Sequence, residues 1–161
     1  MDHAPIRTAL AALCISLAAA ALFSCSHGYA ASKPVIVSGG LRLQNLLYVP
    51  DGMEPGVKYP AVLLAHGGMK GVEFPTRGWA RELARRGFVV LVPQFRGQGG
   101  SEGAFEFAKG EVDDAVASVE YLGRLEYADS GRVGIAGFSH SIMWRETPRR
   151  DAVRFLEEKL K

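Results

Sequence analysis

The sequence predicts an α/β fold on a parallel sheet, and three observations carry that prediction. Three short runs are almost wholly apolar: Ala61–Ala65, Phe88–Val92 and Val133–Ala136. Segments with helical spacing separate them, and each run stops at a loop rich in glycine or at a proline. Strands covered on both faces read as continuous apolar runs rather than as alternating ones. Strands that alternate with helices imply parallel pairing through right-handed crossovers. The chain has 161 residues, 48% hydrophobic and 22% charged, which is enough for one domain with a real core.

The first element is a targeting segment. Arg7 supplies a positive charge and Thr8 to Phe23 is an apolar run dominated by alanine and leucine. Gly28-Tyr29-Ala30 then places small residues three before and one before a cut after Ala30, the pattern of a secretory signal peptide. The expected division is residues 1–30 as leader and residues 31–161 as the mature domain, with periplasmic or extracellular localisation. A membrane span needs about 20 apolar residues, and this run is shorter, so no stable span is expected after cleavage. Two alternatives stay open: lipoprotein processing at Cys25 after Leu22-Phe23-Ser24, and a retained anchor helix. Both cysteines, Cys14 and Cys25, lie in or beside the leader, so the mature chain has no thiol, no disulfide and no cysteine metal site.

The mature chain opens with a strand over Leu41–Val49 and a turn at Pro50-Asp51-Gly52. The apolar strand Ala61–Ala65 follows and ends in His66-Gly67-Gly68. Trp79 to Arg86 has helical spacing, with Gly87 placed as its C-cap. The strand Phe88–Val92 leads to the glycine-rich loop Arg96–Gly103. Glu111 to Leu122 is the next helix, with Val112, Ala115, Val116, Val119 and Leu122 along one face. Val133–Ala136 is the third apolar strand. Near the end, Thr147-Pro148 reads as an N-cap and first-turn proline, starting an amphipathic helix over Arg149–Leu160.

Function is expected beyond the carboxyl ends of the strands, where parallel sheets gather their ligand-binding loops. Ser139 follows the third strand in the pattern Gly137-Phe138-Ser139-His140-Ser141, a G-x-S-x-S turn. A serine hydroxyl on a tight strand-to-helix turn is exposed, and the next backbone N–H groups point at a developing oxyanion. In His66-Gly67-Gly68-Met69, two glycines let backbone N–H groups approach a ligand closely, and this is read as the second half of an oxyanion hole. His66 is read as shaping that loop. The Arg96–Gly103 loop lacks the Gly-Lys-Ser/Thr of a phosphate loop and is read as structural. Asp113 and Asp114 are read as helix-start acids that suit the dipole. The net charge of +2, with acids scattered among the arginines, gives no electrostatic case for nucleic acid.

On these residues the chain resembles the α/β-hydrolase superfamily, and within it the dienelactone-hydrolase-like and prolyl-oligopeptidase-like serine hydrolases. The matching segments are Tyr59 to Gly68, Gly87 to Gly97 with Gly99 and Ser101, and Gly131 to His140. The resemblance implies an α/β-hydrolase fold and hydrolysis of small-molecule esters or peptides through an acyl-enzyme on Ser139. It implies no cofactor and no metal, and it gives the His140 N–H to the oxyanion hole.

The resemblance also predicts departures. Family members continue after the elbow with further strands, an acid-bearing loop and a histidine-bearing loop. Here the end of the chain resembles the family's final helix, as if the middle were deleted with a join at His140. The side chain of His140, adjacent to Ser139, points away from the nucleophile in such a turn and is a poor base. No acid stands at a matching position. The Val133–Ala136 strand is expected to form an apolar sheet edge open to self-association. Three functions therefore stand: an exported serine hydrolase, an inactive hydrolase-like fragment, and an assembly module that pairs through the sheet edge.

Overall fold

The computed structural model describes residues 28–67, 71, 72, 74–137 and 154–161. Within them the strands are β1 (Tyr29–Ser32), β2 (Val35–Ser38), β3 (Leu41–Pro50), β4 (Tyr59–Ala65), β5 (Val89–Pro93) and β6 (Ala128–Gly137). The helices are α1 (Phe74–Arg85), α2 (Gly110–Arg124) and α3, whose described helical residues are 154–160. The strands form one mixed sheet in the order β1-β3-β5-β4-β6, and β2 also pairs with β3. β5, β4 and β6 run parallel, while β3 is antiparallel to β5 and to both β1 and β2. This is the expected α/β architecture, extended by an antiparallel flank.

Alternation along the central strands sends neighbouring residues to opposite faces, so each strand feeds two cores. Val62, Leu64, Val90 and Val92 pack with Trp79, Leu83 and Phe88 beneath α1, and Leu156 of α3 joins them. Ala61, Leu63, Val89 and Leu91 pack with Leu122 of α2 on the other face. The apolar runs are continuous in sequence because both faces are covered.

Helix α1 starts at Phe74, five residues before the first apolar position that marked it in the sequence, with Pro75 in its first turn. Its end matches expectation. Gly87 adopts φ 89°, its N–H donates to the Ala84 carbonyl at 2.9 Å, and the Phe88 N–H donates to Leu83 at 3.1 Å. That pair of bonds is a Schellman cap, which needs a left-handed residue at the glycine. Helix α3 lies on the same face as α1. The Arg86 guanidinium bonds Glu157 at 3.2 Å, and the Lys161 ammonium donates to the Arg86 carbonyl. A Cβ on Gly134 would stand 2.7 Å from Leu160 Cδ1 and 3.3 Å from Leu156 Cδ2, so the glycine allows α3 to approach β6 closely.

β1 and β2 were not foreseen as strands. Tyr29 pairs with Pro50, Ala30 with Val49 and Ala31 with Tyr48. The Tyr29 ring lies 5.8 Å from that of Tyr48, with the Arg85 guanidinium 5.0 Å from its centroid. A cut after Ala30 would fall between the second and third residues of β1. The leader up to His27 lies outside the described residues.

Candidate active site

Three chain segments leave the parallel strands at one edge of the sheet. β4 and β6 run in register from Ala61↔Val133 to Ala65↔Gly137. β5 reaches the same edge, with Leu63 paired to Leu91 and two further residues, Val92 and Pro93, completing the strand. The connection after β4 leads to β5 on one side, and the chain then crosses to β6 on the other. β4 and β6 thus flank the point where the strand order reverses, the crevice that parallel sheets use for ligands.

His66 and Gly67 leave β4 at this point. His66 is buried, 7% exposed, with Nδ1 3.3 Å from the Gly67 carbonyl oxygen and its ring 5.4 Å from that of Phe95. The ring is thus packed between its own loop and the end of β5, which suits a loop-shaping role. Gly68 and Met69 of the expected oxyanion loop lie outside the described residues, as do Ser139 and His140. β6 ends at Gly137, paired with Ala65. A Cβ on Gly137 would meet Ala65 Cβ at 3.5 Å, an ordinary contact, so the strand itself does not require glycine there.

The segment after β5 is anchored by an ion pair. Asp114 is fully buried at 0% exposure, and one of its oxygens accepts from both the Arg96 backbone N–H at 2.9 Å and Nε at 3.1 Å. Its other oxygen accepts from Arg96 Nη2 at 2.8 Å, completing a two-pronged pair. Burial pushes the Asp114 carboxyl up, but hydrogen bonds from Arg96 and Ser38 outweigh it and hold the group below the ordinary carboxylate range. The same contact, opposed by burial, raises the Arg96 guanidinium above its already high value. Reading Asp114 as a helix-start acid is therefore corrected. Its side chain points inward to the loop, while Glu111 and Asp113 supply the first-turn acids.

The rest of the Arg96 loop is tied down by its own polar groups. Ser101 Oγ donates to the Gln94 carbonyl at 2.6 Å and accepts the Gln44 N–H at 2.9 Å. The Arg42 N–H donates to the Glu102 carboxylate at 2.8 Å. Gly97 has φ 69°, and a Cβ there would come within 2.6 Å of the Phe105 nitrogen, so only glycine fits the turn. The loop is structural, as its sequence suggested. The Arg96–Asp114 pairing was missed, although a long charged side chain at a strand end demands a buried partner.

A sheet with helices on both faces, the reversal of strand order at β4 and β6, and the His66-Gly67 loop beside the end of the serine-bearing strand define an α/β hydrolase. The model of the X-Pro dipeptidyl-peptidase (S15) family matches residues 39–146, and the chain belongs to that family of serine hydrolases. It is 38% identical over 117 residues to dipeptidyl peptidase 8 of Homo sapiens, covering 63% of this chain and 13% of that protein. It is 37% identical over 103 residues to an uncharacterized peptidase, YtmA, of Bacillus subtilis (strain 168), covering 64% of this chain and 39% of that one. The solved structure of esterase Est22 superposes with a TM-score of 0.58 at 23% identity, covering 68% of this chain and 34% of the esterase. At that identity the likeness is one of fold. The chain spans well under half the length of each of these relatives.

Proposed function

We propose that this chain is an exported serine hydrolase in which Ser139 attacks an ester or peptide carbonyl and forms an acyl-enzyme. The observation that carries the reading is the β4–β6 register, in which Ala65 and Gly137 end level at the reversal of strand order. In the sequence Gly67 and Ser139 each lie two residues beyond these paired positions, so on this reading the oxyanion loop and the nucleophile start from neighbouring strand ends. Donors for the oxyanion come from the backbone around Gly68 and Met69 and from the N–H of His140. The substrates are small esters or short peptides, and no nucleic acid is involved. Hydrolysis of p-nitrophenyl acetate by the purified chain tests the proposal. Ser139→Ala should lower the rate at least about a hundredfold, the loss typical of a removed nucleophile, and an unchanged rate would rule Ser139 out.

A second reading, a hydrolase-like scaffold without turnover, is favoured by one observation. Of the two buried acids among the described residues, Asp114 has both oxygens engaged and Glu111 has one. Asp114 holds Arg96, and Glu111 accepts the Glu106 N–H at 2.7 Å. Asp114 is therefore not free to orient a histidine base for Ser139, and Glu111, whose Oε2 is buried without a hydrogen-bond partner among the described residues, is held by its Oε1 at the start of α2.

Export rests on the leader pattern in residues 1–30. The pairing of β1 supports a cut upstream of Gly28 rather than after Ala30, because Tyr29 and Ala30 supply half of that strand. N-terminal sequencing of exported protein should find a start after the apolar run that ends at Phe23 and no later than Gly28. A start at Ala31 would contradict the retained strand, and a start at Met1 the leader itself.

A further inference from the structure

A polar cleft of about 350 Å³ lies at the same sheet edge but on the far side of β5 from β4 and β6. Its lining includes Lys33, Gln44, Asn45, Val72, Arg77 and Gln94. β5 and β6 are two strand spacings apart, about 10 Å, so the cleft is separate from the crevice between β4 and β6.

Its chemistry is one-sided. Two cations, Lys33 and Arg77, stand exposed on it, and no acid lines it among the described residues. Arg77 sits in the first turn of α1, which carries no acidic residue, so the positive end of that helix adds to the same potential. The deeper part of the cleft is built from amides. Asn45 is 1% exposed and its Nδ2 donates to the Leu43 carbonyl at 2.9 Å and to Pro34 at 3.4 Å. Those bonds fix the amide orientation and leave Oδ1 buried with no hydrogen-bond partner among the described residues. The Gln94 carboxamide packs against Gly99 and Gly71. A Cβ on Gly99, which has φ 53°, would lie 1.4 Å from Gln94 Oε1, and one on Gly71 would lie 2.9 Å from it. An acceptor left unpaired in the interior is costly, and a ligand donor would satisfy it.

From this arrangement we infer that the cleft binds a small carboxylate that carries an O–H or N–H donor next to the carboxyl group. Lys33 and Arg77 hold the carboxylate, and the amide oxygens of Asn45 and Gln94 accept from the donor. A hydroxy acid and the C-terminal end of a short peptide share this chemistry. Binding requires nothing of Ser139, so the inference stands or falls independently of the proposed hydrolysis.

Isothermal titration of the full chain carrying Ser139→Ala tests it, with L-lactate, glycylglycine and acetate as probes. Lactate or glycylglycine should bind, and acetate, which lacks the donor, should bind more weakly. Arg77→Gln and Lys33→Gln should each weaken binding about tenfold, the worth of a hydrogen bond to a charged group. Both residues are exposed, so the melting temperature without ligand should not move. Binding of neither donor-bearing probe, equal binding of acetate, or binding unaffected by both substitutions would each overturn the inference.

Discussion

Asp114 shows how one residue can hold a functional edge together without taking part in chemistry. Its two oxygens meet three N–H groups of Arg96 in a buried site. Removing one partner of such a pair leaves the other charge buried and unpaired, which costs about 3–5 kcal/mol. Asp114→Asn should therefore lower stability by about 3 kcal/mol in urea denaturation, and an unchanged midpoint would show that the pair is not buried as described. The pH dependence follows from the same contact. The folded-state pKa of Asp114 lies below its unfolded value of about 3.9. In the interval between those two values the unfolded chain binds a proton that the folded chain does not. The contribution of Asp114 is thus fully present above about pH 4 and is lost as pH falls through the lower, folded-state value. Asp114→Asn should flatten the acid limb of a stability–pH curve; a limb of the same steepness would assign it to other carboxylates.

The elements differ in how openly the sequence announces them. β4 and β5 were legible because burial on both faces makes their runs apolar, β6 was legible as the apolar run Val133–Ala136 although it lies at the sheet edge, and the end of α1 was legible because Gly87 is its cap. β1 and β2 were hidden for different reasons. β1 has exposed residues at three of its four positions and lies where a leader was expected to end. β2 alternates Val-Ile-Val-Ser, but with only four residues it gives too short a period to read. The start of α1 was obscured because Pro75 and Gly78 precede its first core residue, Trp79. The candidate site was legible only as ordered motifs. Ser139 and the glycines of the His66 loop stand out by residue type, whereas the Arg96–Asp114 partnership spans 18 residues and has no local signature. Gly134 gives the element scale its own test. A small side chain there can be absorbed by a turn of Leu160, but Gly134→Val should push α3 off β6. The expected cost is about 1–3 kcal/mol, as for an overfilled core, read by urea denaturation beside Gly134→Ala. Equal stability of the two variants would mean that α3 does not depend on this contact.

At the scale of the molecule, the sheet does two things at once. Its parallel centre brings the ends of β4, β5 and β6 to one edge, and its antiparallel flank of β1, β2 and β3 closes the opposite side. On the β6 side, the described residues pair that strand with β4 alone, and Ile135 is 66% exposed. A strand edge with an apolar side chain invites pairing with a second copy. Ile135→Lys should therefore leave the fold intact and shift any concentration-dependent oligomer seen by size-exclusion chromatography toward monomer; an elution profile unchanged by the substitution would argue against association through β6. The central claim concerns the other end of the same strand. If the β4–β6 register delivers Ser139 as an activated nucleophile, the folded chain should be labelled covalently by a fluorophosphonate probe, with the adduct on Ser139 and the label absent from Ser139→Ala. A folded chain that takes up no label, or that labels equally after Ser139→Ala, would contradict it.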